Sequence, residues 1–357
     1  MGSAGTGFCA SDYLSVPWEP DPPELVWTQA QLLLRELRRI PPASRAAHLL
    51  AQHAARATIA SIYFSNHIDD KGPSLAESEK LIREEQLLPG PEAPPPDGAA
   101  ADAPVADAPA AATQHADASA AAAVVRREVL QHAAAWRHLH RHAVTDRRPL
   151  TEAVVLETHR ILVSGLPPTI EDDGQPAAAG AYRRGAVYAG YHRFPPATVV
   201  QSAVRDLLHE YNTRAAAAAA AASTGAIVDA EHGGDPFALA AWLSYNFDAV
   251  HPFVDGNGRM SRLLLNAALL AAGVPFCSAL GFASGHRQAK KQYLQCVRHA
   301  DERGGGGGGS GDDGGGAPRL LATVVLCGFR DAAASYFEAL RMSYPGEYPE
   351  TLKRLYG

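Results

Sequence analysis

Residues 251–262 read HPFVDGNGRMSR, and this short polar stretch lies between two strongly apolar ones. Before it, Asp235-Pro236 predicts a helix start, because an aspartate caps the first N–H groups and proline suits the first helical position. That helix is predicted to end just before His251. After it, residues 261–272 are apolar almost all round, which is typical of a helix enclosed by others. The polar stretch is therefore predicted to be a loop joining two buried helices.

The glycines and arginines of this stretch predict a polyphosphate site. Gly256, Asn257 and Gly258 permit a tight loop at a helix start, where backbone N–H groups and the helix dipole favour an anion. Arg259 and Arg262 are three residues apart, so both guanidinium groups can lie on one side of the first helical turn and hold separate phosphates.

Two further residues of the stretch suit chemistry on a phosphate ester. Asp255 can hold a Mg²⁺ ion that bridges phosphate oxygens, because nucleotide-bound Mg²⁺ needs only one or two carboxylates. His251 can act as a general base toward a hydroxyl group, since imidazole titrates near neutral pH. A single histidine or a glycine-rich loop alone is more often structural. Their combination in one segment indicates phosphoryl-group chemistry, while Phe253 is predicted to anchor the loop in the core.

The stretch resembles the motif of the Fic family, HPFx(D/E)GNGRxxR, at every specified position. The resemblance extends from about residue 58 to residue 341 and is greatest to metazoan-type Fic enzymes, which modify Hsp70-class chaperones. It implies a mainly α fold, a Fic-type helical bundle with a short β-hairpin flap. It also implies a protein adenylyltransferase, which transfers AMP from Mg-ATP to a Ser, Thr or Tyr hydroxyl of a target protein.

The family resemblance assigns a role to each motif position. His251 would deprotonate the target hydroxyl, and Asp255 would bind Mg²⁺ at the α and β phosphates. Residues 256–258 would form the anion hole, and Arg259 and Arg262 would hold the β and γ phosphates. Gly258 favours AMP transfer, because relatives with lysine at this position transfer a terminal phosphate instead.

Two other segments carry expectations from the same resemblance. β-forming residues between glycines predict a short hairpin over residues 180–196. The part from Tyr182 to Tyr191 resembles the family's flap, which would dock a target strand through Tyr182, Val187 and Tyr188; a purely structural turn is the alternative. Tyr293 is expected to pack against adenine or ribose, with a core tyrosine as the alternative.

Residues 65–70, SNHIDD, resemble the inhibitory helix of many Fic proteins, (S/T)xxxE(G/N). Asp69 replaces the glutamate and is one methylene shorter. A carboxylate near Arg262 would occupy the place of the γ phosphate and repel ATP. The alternative is that Asp69 and Asp70 simply end a helix in solvent.

Charge and composition indicate which partners and which location to expect. The net charge is −6 and no run is dense in Lys or Arg, so nucleic acid is an unexpected partner. ATP and a protein substrate are the expected partners, and a homodimer is left open.

No long apolar run or signal peptide is recognisable, so the predicted location is the cytoplasm, with lipid anchoring at Gly2 as an alternative. Two other functions stay open: removal of AMP or transfer of another phosphate-linked group, and nucleotide sensing without turnover.

Low-complexity segments, which lack the apolar residues that offset ordering entropy, mark the predicted boundaries. The alanine tract near 215–224 is interpreted as a loop, with an extended helix as the alternative. The predicted organisation is a flexible N-terminus (1–27), a helical segment with the degenerate inhibitory motif (28–88), a disordered linker (89–122), a Fic domain (123–345) with inserts near 215–224 and 304–316, and a C-terminal tail (346–357).

Overall fold

The computed structural model describes residues 13–16, 19–67, 73–88, 116–171, 174–189, 192–223, 235–280, 293–294 and 316–356. Helices form most of the regular structure in these ranges, which confirms the prediction of a mainly α fold. The helices are α1 (Pro23–Arg38), α2 (Arg45–Asn66), α3 (Leu75–Glu84), α4 (Ala116–His140), α5 (Glu152–Val163), α6 (Ala197–Ser223), α7 (Pro236–Val250), α8 (Asn257–Ala271), α9 (Gly316–Ser343) and α10 (Glu350–Tyr356). A π-helical turn, Arg141–Thr145, continues α4, and a 3-10 turn, Pro345–Glu347, precedes α10.

Helices α7 and α8 form the centre of the fold and pack against each other. As the sequence predicts, Asp235 caps α7, and its Oδ1 accepts hydrogen bonds from the Phe237 and Ala238 N–H groups at 2.8 and 3.2 Å. The α8 side chains Met260 and Leu264 are fully buried, as expected for an enclosed helix. Helix α9 packs on α1 and α7, and α4 packs on α5 and α8. The loop between α7 and α8 thus joins two helices of the buried core.

The N-terminal residues contribute to this core, so the predicted flexible N-terminus is wrong for the part that the structure describes. Tyr13 and Val16 are buried, and α1 already begins at Pro23. The Tyr13 hydroxyl and the Trp27 indole N–H both donate to Asp235 Oδ2, at 2.8 and 3.0 Å. A buried carboxylate needs such donors, which explains why this segment is ordered against α7.

Three other boundaries also differ from the prediction. Helix α4 begins at Ala116, inside the predicted linker 89–122. Helix α6 continues through the alanine tract to Ser223, so the loop interpretation is wrong: alanine has the highest helix propensity and here extends a helix that is already nucleated. The predicted C-terminal tail contains α10, whose Leu352 is fully buried. Residues 89–115, 224–234 and 304–315 lie outside the described ranges.

Two short strands lie in the stretch that predicts a hairpin. Strands β1 (Tyr188–Ala189) and β2 (His192–Arg193) pair antiparallel, with Tyr188 opposite Arg193 and Ala189 opposite His192. Residues 190 and 191, which connect the strands, lie outside the described ranges.

Helix α9 is also the one segment, among the residues described, that is long and apolar enough to cross a membrane. Within its span Pro318–Ser343, the most apolar 18-residue window has a mean hydropathy of 1.3, and 61% of that window is buried inside the protein. A core helix of a globular protein meets the same criteria, so this is weak evidence for a membrane segment.

Candidate active site

His251 occupies a strained position directly after α7. Its backbone is left-handed, with φ 49° and ψ 61°, a conformation that is uncommon for residues other than glycine. Its N–H group donates to the Phe247 carbonyl at 3.0 Å, and its ring stacks on Phe194 with the centroids 3.7 Å apart. Helix end, backbone strain and ring stacking together fix the direction of the imidazole.

The hydrogen bond of this ring determines its tautomer. Nδ1 of His251 lies 3.2 Å from the Asp248 carbonyl oxygen. A carbonyl can only accept, so Nδ1 carries the proton and Nε2 is the basic nitrogen of the neutral imidazole. This arrangement is the one required of a general base.

The loop after His251 is closed by its own side chains. Phe253 is fully buried, as predicted. Asn257 Oδ1 accepts from the Phe253 N–H group at 2.9 Å, and Asn257 Nδ2 donates to the Phe253 carbonyl at 2.8 Å. Both polar ends of the Asn257 amide are therefore used inside the loop, and only its backbone N–H group can serve the predicted anion site.

Glycine at two loop positions follows from the geometry. Gly256 precedes α8 with φ 82°, which is the left-handed region that favours glycine. A Cβ atom on Gly258 would lie 3.1 Å from Nη1 of Arg262, so the guanidinium would have to shift by a few tenths of an ångström. The first N–H groups of α8 have no carbonyl acceptor within the helix, so they are suited to hold an anion.

The two motif arginines contact different parts of the protein. Arg259 Nη2 forms an ion pair with Asp255 Oδ2 at 3.1 Å, and the Asp255 side chain is 59% exposed. Arg262 donates from Nε to the Ser65 hydroxyl at 2.7 Å and from Nη2 to the Ser65 carbonyl at 3.0 Å. Arg262 is thereby tied to the end of α2, while Arg259 stays within the loop.

Tyr293 forms a hydrogen bond with Arg262. Its hydroxyl accepts a hydrogen bond from Arg262 Nη1 at 2.9 Å, and burial raises the pKa of this hydroxyl. The residue is 1% exposed, so its ring offers almost no surface to a nucleoside. The core-tyrosine alternative describes its position better than the predicted contact with adenine or ribose.

Asp69 and Asp70, the predicted brake, lie outside the described residues, and their role stays a prediction. Ser65, the first residue of the same motif, is described, and it is the α2 residue that holds Arg262.

The predicted flap residues occupy different environments. Tyr188 lies on β1 and is 58% exposed. The Val187 carbonyl accepts from the Phe194 N–H group at 3.2 Å, next to the paired strands. Tyr182 is on neither strand: it is partly buried, its ring lies 5.8 Å from that of Phe253, and burial raises the pKa of its hydroxyl. Tyr182 therefore packs on the loop rather than along an exposed strand edge.

Arg183 is a site residue that the sequence analysis missed. Its buried guanidinium donates to backbone carbonyls only in the contacts described: Nε to His251 at 2.8 Å, Nη1 to Gly185 at 3.0 Å and Nη2 to Pro195 at 2.6 Å. Burial lowers the pKa of this guanidinium, which nevertheless stays charged. Backbone carbonyls leave no mark in a sequence, so no motif could reveal these partners.

His159 of α5 was also missed. Its Nδ1 accepts from the Gly180 N–H group at 3.1 Å, so Nε2 carries the proton and donates to the Asp255 carbonyl at 3.0 Å. The ring stacks on Phe253 with the centroids 3.6 Å apart, and burial lowers its pKa to about 4. A signal for it existed: it lies on the apolar face of α5, one turn from Val155.

Comparison with known proteins identifies the family. Residues 149–269, which include the α7–α8 loop, match the model of the Fic/DOC family. A Fido domain-containing protein of Dictyostelium discoideum is 34% identical over 122 residues, which are 34% of this chain and 71% of that protein. The chain belongs to the Fic/Fido family.

Other relatives are longer than the part that matches. A protein named protein adenylyltransferase Fic, from Aedes aegypti, is 29% identical over 177 residues, 49% of this chain and 30% of that protein. The chain thus spans less than a third of that relative. Among solved structures, Fic-1 from C. elegans has a TM-score of 0.56 at 19% identity, covering 89% of this chain and 74% of that one. A Fic domain containing signaling protein from Bacteroides thetaiotaomicron has a TM-score of 0.54 at 18% identity, covering 89% and 96%. Both structures support the Fic fold.

Proposed function

We propose that this protein transfers AMP from Mg-ATP to a hydroxyl group of a target protein. The observation that carries the proposal is the hydrogen bond from His251 Nδ1 to the Asp248 carbonyl, which leaves Nε2 as the basic nitrogen in the loop that leads to the start of α8. The names of the insect relatives, protein adenylyltransferase Fic, support the same activity.

ATP would bind with its phosphates at the start of α8. The N–H groups of residues 256–258 would hold phosphate oxygens, and Arg259 and Arg262 would hold the β and γ phosphates. The proposal places Arg262 on the γ phosphate in exchange for Ser65, and Arg259 on the β phosphate in exchange for Asp255. Both arginines therefore exchange a protein acceptor for a phosphate.

Asp255 is the proposed Mg²⁺ ligand. Its exposed carboxylate stands at the loop, and the described residues contain no cluster of three or more His, Cys, Asp or Glu side chains that could hold a metal without a substrate. A single carboxylate fits Mg²⁺, which takes its remaining ligands from phosphate and water. When bound, the ion would neutralise charge on the phosphates and on the leaving pyrophosphate.

The chain's own groups account for the proton and for orientation. His251 Nε2 would accept the proton of the target hydroxyl as the oxygen attacks the α phosphorus. The new phosphorus–oxygen bond replaces the bond to the β-phosphate oxygen, so pyrophosphate leaves and AMP stays on the target. The helix start and the two arginines would stabilise the charge that develops.

The paired strands β1 and β2 are the proposed flap. An extended target segment could add to their edge through backbone hydrogen bonds, with the exposed Tyr188 and the neighbouring Val187 as contacts. Tyr182 would stabilise the loop next to the flap, because its ring packs on that of Phe253. An Hsp70-class chaperone in the cytoplasm is the proposed kind of target.

The position of the radiolabel tests the reaction class. Purified protein is incubated with a cell lysate and ATP that carries the label on either the α or the γ phosphate. Compared with the lysate alone, the added protein is expected to increase protein labelling by α-labelled but not by γ-labelled ATP. Labelling by γ-labelled ATP alone would indicate phosphate transfer. Loss of AMP from a premodified target would indicate removal, and ATP binding without any labelling would indicate a sensing module.

A further inference from the structure

Arg183 joins the proposed flap to the backbone of His251. We propose that Arg183 is a positioning residue: it fixes the distance between the flap and the imidazole, so that a hydroxyl on a flap-bound target meets the base. This inference rests on the proposed function and adds a residue outside the motif to it.

The flap side of this contact consists of two carbonyls at the base of the strands. Arg183 Nη1 donates to Gly185, which precedes β1, and Nη2 donates to Pro195, which follows β2. One planar guanidinium therefore holds both arms of the strand pair. Lysine, with a single ammonium on a flexible stem, cannot reproduce this fork.

The catalytic side consists of carbonyls at the end of α7. Arg183 Nε donates to His251 at 2.8 Å, Nη2 also lies 3.4 Å from the Val250 carbonyl, and the Arg183 N–H group donates to the Pro252 carbonyl at 3.0 Å. A cation is favoured there by the negative end of the helix dipole. The same contacts hold His251 in its left-handed backbone conformation.

The imidazole of His251 also contacts the proposed flap directly, through the residue that follows β2. Phe194 follows β2 directly, and its ring stacks on His251 at 3.7 Å with an interplanar angle of 14°. A shift of the flap relative to the loop would therefore move the ring of the base. Misplacement of a catalytic group by about 1 Å can cost on the order of 100-fold in rate.

The test compares Arg183→Lys with Arg184→Lys. Arg184 is the matched control, because it is the next residue, half-exposed, and pairs with Glu171 at 3.2 Å. We expect Arg183→Lys to lower kcat for AMP transfer about 100-fold with ATP affinity unchanged, and Arg184→Lys to retain the wild-type rate. Equal kcat values for the two variants would overturn the inference.

Hydrogen–deuterium exchange gives a measurement that does not depend on activity. In Arg183→Lys, exchange should rise together in the β1–β2 segment and at residues 251–253, while α8 keeps wild-type protection. A rise in only one of these segments would overturn the inference. If the wild type transfers no AMP, the proposed function fails, and the exchange pattern still decides the role of Arg183.

A second variant covers the case in which Arg183→Lys does not fold. Phe194→Ala keeps Arg183 but removes the ring that stacks on the imidazole of His251. The inference predicts a lower kcat with ATP affinity retained. A wild-type kcat for a folded Phe194→Ala protein would show that the contact between the flap and the His251 ring does not position the base.

Discussion

The hydroxyl of Ser65 gives a perturbation whose size can be worked from the structure. It accepts the Nε–H of Arg262 at 2.7 Å, and Arg262 is only 9% exposed. Hydrogen bonds to a charged group contribute about 1.5–3 kcal/mol, and water has little access to replace this one. Ser65→Ala should therefore lower the free energy of unfolding by about 1.5–3 kcal/mol.

The same substitution should strengthen ATP binding. If Arg262 leaves Ser65 for the γ phosphate, the Ser65 bond exists only before ATP binds, and it opposes binding by its own free energy. Removing it should lower the Kd for Mg-ATP by up to about 10- to 150-fold, which corresponds to the same 1.5–3 kcal/mol. Stability and affinity should thus change in opposite directions and by similar amounts.

Urea unfolding and isothermal titration calorimetry measure the two quantities. Ser61→Ala is the matched control: Ser61 lies one turn earlier on α2 and donates to the Thr58 carbonyl of its own helix at 2.8 Å. It should leave ATP affinity at the wild-type value. Weaker or unchanged ATP binding in Ser65→Ala would show that Ser65 does not compete with ATP for Arg262, because Ser65 would then hold Arg262 in its ATP-binding position or be irrelevant to it.

Three further predictions concern Asp69, Asp255 and His159. Asp69→Gly should raise automodification with radiolabelled ATP, but less than the equivalent change does in relatives with glutamate; an unchanged rate would remove the brake. Asp255→Asn should abolish the gain in ATP affinity that Mg²⁺ gives in the wild type, measured by calorimetry with and without the ion; a retained gain would place the metal elsewhere. The pKa of His159 is about 4 in the folded protein, below its usual value near 6.5, so the unfolded chain binds more protons in this window and stability falls as the pH falls. Between pH 6 and pH 5 the wild type should lose about 1 kcal/mol more unfolding free energy in urea than His159→Asn; equal losses would mean that His159 titrates normally.

The sequence predicts those parts of the site that are local. Residues 251–262 form one loop and one helix start, and the cap at Asp235 fixes where the preceding helix begins. The spacing of Arg259 and Arg262 on α8 follows from helix geometry alone. For these features, neighbours in sequence are neighbours in space.

Other parts depend on contacts between distant segments. Arg183 binds carbonyls, which every residue carries, so its partners could not be identified from residue types. Tyr13 is ordered by Asp235, far away in the chain. The alanine tract continues the helix that precedes it, although the tract has no apolar stripe of its own. For Arg183 and Tyr13, contacts between distant segments decide the structure, whereas the alanine tract is helical because alanine readily extends an existing helix.

AMP transfer by the His251→Ala variant tests whether His251 is the base. In the proposed reaction, Nε2 of His251 takes the proton of the target hydroxyl, while ATP is held by α8 and its arginines. His251→Ala should therefore bind Mg-ATP with wild-type affinity and give no protein labelling with α-labelled ATP. Labelling at the wild-type level by the folded variant would contradict the account, because another group would then be the base.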